Sequence, residues 1–274
     1  MKAAFIKMKK NPLYVLYSGI SDILFIILYY FIVSSLAEKA LEYIVAVSSL
    51  TARESPGLGS IIASSQSLLQ AILSVEGVRP FMSDLLIMGV IYLAVIFILY
   101  SFFQGISWYY AKRISGSKIK YFDFMTGFLK INAVWLIFFL IFSILRFIIS
   151  FYNMISGRIY SGGTAGFGIM GIIAAVLGIV ILYFAVNSYT AADKTKSIKA
   201  RMKAGLSGPR EKILVFIVVM IVILIVHALQ VLIFRTTIPI SPVFSGIFFI
   251  LIEIPVLTYA RVVLLGGRLK LQAK

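Results

Sequence analysis

The chain has no cysteine, a single histidine and only ten acidic residues among 274, and each shortage removes a class of chemistry. Without Cys there is no disulfide, no thiolate nucleophile and no Cys-ligated metal. One histidine, His227, is too few for a His-rich metal site, and no H-E-x-x-H occurs. G-x-S-x-G is missing, so no nucleophile elbow is indicated. The runs Gly57-Leu58-Gly59-Ser60 and Gly116-Ser117-Lys118 lack the G-x-x-x-x-G-K-[ST] spacing of a phosphate loop, and neither follows a strand. The sequence therefore names no catalytic residue, no metal and no cofactor, and it predicts a protein that is not an enzyme.

Charge is scarce as well. Only 13% of residues are charged and 61% are hydrophobic, where a soluble domain carries roughly 25% charge. This composition predicts an all-α, polytopic integral membrane protein forming a single membrane domain over residues 1–274. Six runs reach the length of about 20 residues that a bilayer core requires. They lie near 13–37, 85–111, 131–152, 167–190, 213–235 and 240–265. The N-terminal lysines followed by an apolar run imitate a secretory signal, but the run is too long for one, so it reads as a retained first helix.

What charge there is has a sign and an address. The net charge is +16, and the stretches 1–12, 112–130, 191–212 and 261–274 hold four, five, seven and four Lys or Arg, twenty of 26. Short loops rich in Lys and Arg stay on the cytoplasmic side. The pattern predicts three hairpins in a cell (cytoplasmic) membrane, both termini inside, basic cytoplasmic loops at 112–130 and 191–212, and a long extracytoplasmic loop at 38–84. The partner implied by this charge is a bilayer with anionic head groups rather than nucleic acid. A membrane-protein partner or a second copy of the chain is also compatible.

Three basic stretches carry an apolar stripe at helical spacing. Phe5 and Met8 lie among Lys7, Lys9 and Lys10; Tyr121, Phe122, Met125, Phe128 and Leu129 among Lys118, Lys120, Asp123 and Lys130; Ile198, Met202 and Leu206 among Lys199, Arg201 and Lys203. Such segments predict amphipathic interfacial helices, one before each hairpin, with Lys118, Lys120, Lys194, Lys196, Lys199, Arg201 and Lys203 contacting lipid. A further amphipathic helix is expected in the outer loop around Ile61 to Leu73. Gly171, Ala174, Ala175, Gly178 and Ala185 give the fourth span a small face, which predicts a central place in the bundle. Trp108, Tyr109, Tyr110, Tyr121 and Trp135 read as an inner aromatic belt.

Polar residues inside the spans carry the functional weight, because an ionisable group at mid-membrane costs about 2.5–3.5 kcal/mol. Asp22 and Glu253 stand out, each roughly 15–18 Å from the inner end of its span. Glu253 precedes Pro255, which removes a helix hydrogen bond. Gln104, Asn187 and His227 are the other members of this candidate intramembrane polar site, with Gln230 beyond them. Either the acids are hydrogen-bonded or paired and join helices, or they form a proton or cation site. Arg261 has two roles open to it, reaching the head groups or pairing with an acid on a neighbouring helix. These features favour a structural or accessory membrane component that contacts lipids and partners; the rival reading is a small transporter or ion-coupled permease using Asp22 and Glu253.

Overall fold

Long apolar stretches with few breakers leave the backbone one way to satisfy its own polar groups in lipid, the α-helix. The computed structural model describes residues 2–54, 77–160, 169–190, 197–206, 210–237 and 242–266, and among these it is all helical, without strands. The helices are α1 (Lys2–Lys10), α2 (Pro12–Glu54), α3 (Val78–Leu99), a π-helical turn (Tyr100–Gln104), α4 (Gly105–Ile114), α5 (Tyr121–Tyr160), α6 (Ile169–Thr190), α7 (Ile198–Leu206), α8 (Arg210–Thr237) and α9 (Pro242–Gly266). Within the described residues, four stretches are long and apolar enough to cross a membrane: Pro12–Tyr43, Arg79–Ile114, Tyr121–Phe142 and Lys212–Ile233. This is a membrane protein. Two further apolar helical stretches, Ala175–Thr190 and Ile254–Gly266, are shorter.

The local signals explain several ends. Pro12 opens α2, where its missing N–H is no loss. Gly116, at φ +99°, closes α4: its N–H reaches the Arg113 carbonyl and the Ser117 N–H reaches that of Lys112, both at 3.0 Å. This is a Schellman cap, and the left-handed conformation it needs is the reason for glycine. The Ser197 hydroxyl caps α7 by accepting from the Ala200 N–H.

Two predicted boundaries move. The outer connection expected from Glu38 starts later, because α2 runs on to Glu54; residues 38–54 contain no Pro or Gly, and the first breaker is Pro56-Gly57. The segment 121–130 is not a separate interfacial helix but the first turns of α5, leaving only 115–120 between α4 and α5. Its Phe124 and Phe128 are buried completely, which ties these turns to the protein rather than to the head groups. The expected outer amphipathic helix near Ile61 to Leu73 lies outside the described residues.

The chain forms two compact units, Phe25–Tyr100 and the remainder. In the first, aromatic pairs join α2 to α3 and to the start of the π turn, with Tyr43 tilted against Phe81 at 6.1 Å and Phe25 edge-on to Tyr100 at 6.0 Å between ring centres. In the second, α8 packs along α9, α9 against α4, and α1 against α9. Its core gathers Ala4, Ala111, Ile114, Val215, Val219, Ala260, Val262 and Val263. An aromatic cluster fills the α4, α5 and α6 contact, where Tyr189 lies 4.8 Å from Phe128 and 5.9 Å from Trp108.

That cluster takes two members of the expected aromatic belt into the interior. Trp108 and Trp135 are buried in the protein, and Tyr109 packs on Tyr110 and Tyr121. The central place expected for the fourth span also holds for only half of α6. Ala185, Asn187, Ser188 and Tyr189 are buried, whereas Ile172, Ile173, Val176 and Ile179 face outward. The polar and aromatic end needs partners and takes the interior; the aliphatic end does not. Gly178 of the small face comes close to Phe142: a Cβ there would lie 3.1 Å from its ring.

Candidate functional site

On α2, Ser18, Ser21 and Asp22 recur at helical spacing and so share one face. Ser101, Gln104 and Ser107 do the same across the π turn and α4, as do Thr258 and Arg261 on α9. All eight are buried. The structure brings these three polar stripes together around Asp22, in the unit made of Met1–Leu24 and Ser101–Lys274.

Arg261 grips the carboxylate with both guanidinium arms, Nη1 donating to Oδ2 at 2.6 Å and Nη2 to Oδ1 at 2.8 Å. Nη2 also donates to the Gln104 Oε1 at 2.7 Å, and the Gln104 amide donates back to Asp22 Oδ1 at 3.2 Å. The Ser107 hydroxyl lies 2.9 Å from Oδ1 and 3.1 Å from the Ser18 carbonyl, with one proton to give. Thr258 donates to the Ser18 hydroxyl at 3.1 Å. The Trp108 ring lies 6.0 Å from the guanidinium carbon, close enough for a cation–π contribution.

The carboxylate is thus saturated. Both oxygens accept, one from three donors, and the positive and negative charges cancel inside the cluster. Fork-to-fork pairing of this kind is the strong form of a charge-assisted bond. Side-chain exposures of 8% for Arg261 and 2% for Asp22 put it away from solvent, where removing one partner would leave the other charge uncompensated.

The π turn belongs to this arrangement. A π turn accommodates one residue more than an α-turn and leaves carbonyls off the regular ladder. Here the Ser21 hydroxyl donates to the Phe103 carbonyl at 2.8 Å. The same turn places Ser101 toward a second buried set, in which the Asn132 amide donates to Ser101 Oγ at 2.5 Å and Tyr189 donates to Asn132 Oδ1 at 3.1 Å.

Of the residues singled out from the sequence, Asp22 and Gln104 meet here. For Arg261, the pairing role is the one found. Glu253 is on α9, but its side chain lies outside the described residues. Asn187 is buried near the end of α6 and is not among the Asp22 partners. His227 is on the outward side of α8. Ser18, Ser107, Thr258, Ser101, Asn132 and Tyr189 were not singled out. For Ser18, Ser101, Ser107 and Thr258 the signal is the polar stripe at i, i+3 on their helices; Asn132 and Tyr189 have no such neighbours. Among the described residues no group of His, Asp and Glu could hold a metal ion.

The candidate lipid contacts divide. Lys118, Lys120, Lys199 and Lys203 are exposed, and Lys194 and Lys196 lie outside the described residues. Arg201 differs, being only 4% exposed. Helix α7 turns Arg201 and Gly205 inward and leaves Ile198 and Leu206 outward. The reason is space: a side chain at Gly127 would meet the Arg201 guanidinium, and one at Gly205 would meet the Ser188 hydroxyl. Gly127 on α5 and Gly205 on α7 itself make the seat for α7.

No family model, no curated protein and no solved structure matches this chain.

Proposed function

We propose that this chain is a structural or accessory component of the cell membrane, crossing it six times as three hairpins with both termini on the cytoplasmic side. Its basic inner surface contacts anionic lipid and partner proteins, and it has no catalytic role. The saturation of Asp22 supports this reading best. A carboxylate held by Arg261, Gln104 and Ser107 joins α2, α4 and α9 and presents no free charge to a passing cation. The distribution of Lys and Arg supports the orientation.

A small transporter or ion-coupled permease is the rival reading. It rests on Asp22 together with Glu253 and Pro255, which lie eight and six residues before Arg261 on α9. Reconstitution separates the two. Purified protein in sealed vesicles is expected to carry no proton or cation flux sensitive to Asp22→Asn, and reporter fusions at Ser117 and Gly205 are expected to read as cytoplasmic. A flux lost on Asp22→Asn in a folded variant favours the permease, and an outward signal from either fusion overturns the topology.

A further inference from the structure

Helix α1 is held at two points. Ala4 belongs to the core cluster that includes Val262 and Val263, with Met8 packed against it, and Lys7 Nζ donates to the Ser115 carbonyl at 3.1 Å. The second contact joins segments 108 positions apart and sets α1 beside the turn at 115–120. The Asn11 amide fastens the end of α1 by donating to the Lys7 carbonyl at 2.9 Å.

Two basic clusters therefore meet at one corner. Residues 2–10 hold Lys2, Lys7, Lys9 and Lys10, and residues 112–120 hold Lys112, Arg113, Lys118 and Lys120, with no acid in either stretch. Asp123 is the nearest carboxylate in sequence. Lys10 lies three residues from Lys7 and so shares its side of α1. Lys118 lies three residues from Ser115, within about 11 Å along the chain. That is close to the Debye length of about 8–10 Å, so one ligand feels both clusters together. Lys7 retains two further N–H donors after its bond to Ser115.

Exposed apolar side chains lie on the same two segments and just beyond them. Phe5 is 63% exposed, Ile6 45% and Phe122, two residues beyond Lys120, 81%. Exposed Phe and Ile among lysines suit the boundary between head groups and acyl chains, and a soluble polyanion would have no use for them.

From these observations we infer that the corner between α1 and the 115–120 turn binds the head group of a lipid carrying two phosphates, with Lys7, Lys10 and Lys118 on the phosphates and Phe5, Ile6 and Phe122 in the acyl boundary. The inference rests on the cytoplasmic, membrane-facing placement proposed above. It goes further in assigning a discrete site rather than a diffuse basic surface.

The test uses the full chain in mild detergent, titrated with diphosphatidylglycerol, with phosphatidylglycerol at equal total charge, and with inorganic pyrophosphate, and read by lipid retention in native mass spectrometry. The two-phosphate lipid is expected to be retained in preference to phosphatidylglycerol. Lys10→Gln with Lys118→Gln is expected to weaken its retention about thirtyfold. The control pair Lys39→Gln with Lys130→Gln, equal in charge lost and exposed outside both clusters, is expected to leave it unchanged. Equal retention of both lipids, or equal loss in both variant pairs, overturns the site; displacement by pyrophosphate at equal concentration overturns the lipid as its ligand. A cytoplasmic reading from the Ser117 fusion alongside either result leaves the proposed topology standing and removes the site alone.

Discussion

Asp22 and Arg261, 239 positions apart, face each other through two hydrogen bonds of 2.6 and 2.8 Å, so the first long helix and the last are fastened at one buried point. Breaking one side of such a pair leaves a buried charge without its counter-charge, at a cost of about 3–5 kcal/mol. Asp22→Leu and Arg261→Met are each expected to destabilise by that order. Asp22→Leu with Arg261→Met is expected to recover most of the loss, because an apolar pair has no desolvation to offset. Unfolding in mixed micelles measures all four corners of the cycle. Strictly additive losses would show that the two residues act separately.

Gly19 lies one turn before the pair, and a side chain there would meet the Ile254 γ2 methyl. Gly19→Ala is expected to cost about 1–3 kcal/mol by overpacking. Ile254→Leu removes that methyl branch while keeping volume. In the Gly19→Ala background it is expected to return at least half the loss, read by the same unfolding assay. No recovery would mean that the helices separate for another reason.

The seat of α7 makes a local forecast. A Cβ at Gly205 would meet the Ser188 hydroxyl and come within 3.2 Å of the Phe184 carbonyl, neither of which yields easily, since Ser188 donates to that carbonyl at 2.8 Å. Gly205→Ala is expected to lift α7 and to raise tryptic cleavage after Lys199 and Lys203 about tenfold, since cleavage follows the open population when opening is fast. The rest of the chain is expected to keep its unfolding midpoint. An unchanged cleavage rate would show that α7 docks without Gly205.

The helical class and the weight given to Asp22 were legible because they follow from composition and from the cost of a buried charge. The partner of Asp22 was legible only as one of two options, since an arginine near a helix end can reach head groups or turn inward with the same sequence around it. The π turn was not legible: Tyr100-Ser101-Phe102-Phe103-Gln104 has no proline or glycine within it, and the extra residue shows only when both flanks find their partners. The face of α7 was legible in part: Ile198 and Leu206 are outward, as an apolar stripe would be, but the inward turn of Arg201 depends on the approach allowed by Gly205 and Gly127, which the stripe does not announce.

The π turn gives a prediction that separates its register from its side chains. Ser101 meets Asn132 at 2.5 Å on one side of it, and Gln104 meets Asp22 and Arg261 on the other. Deleting Phe102, which lies between them and is 51% exposed, converts the turn to regular α-helix, because the turn is what absorbs the extra residue, and leaves Ser101 two residues from Gln104 instead of three, about 200° around the helix. Ser101 and Gln104 cannot then both keep their partners. One set of buried hydrogen bonds is lost, at about 1–3 kcal/mol for each group left unsatisfied. Phe102→Leu keeps the residue count and is expected to stay within about 0.5 kcal/mol of the parent, as outward-facing substitutions usually do. Unfolding of both variants in the same micelles decides the matter: a deletion as stable as the parent would mean that the extra residue in this turn does not hold the two networks in register.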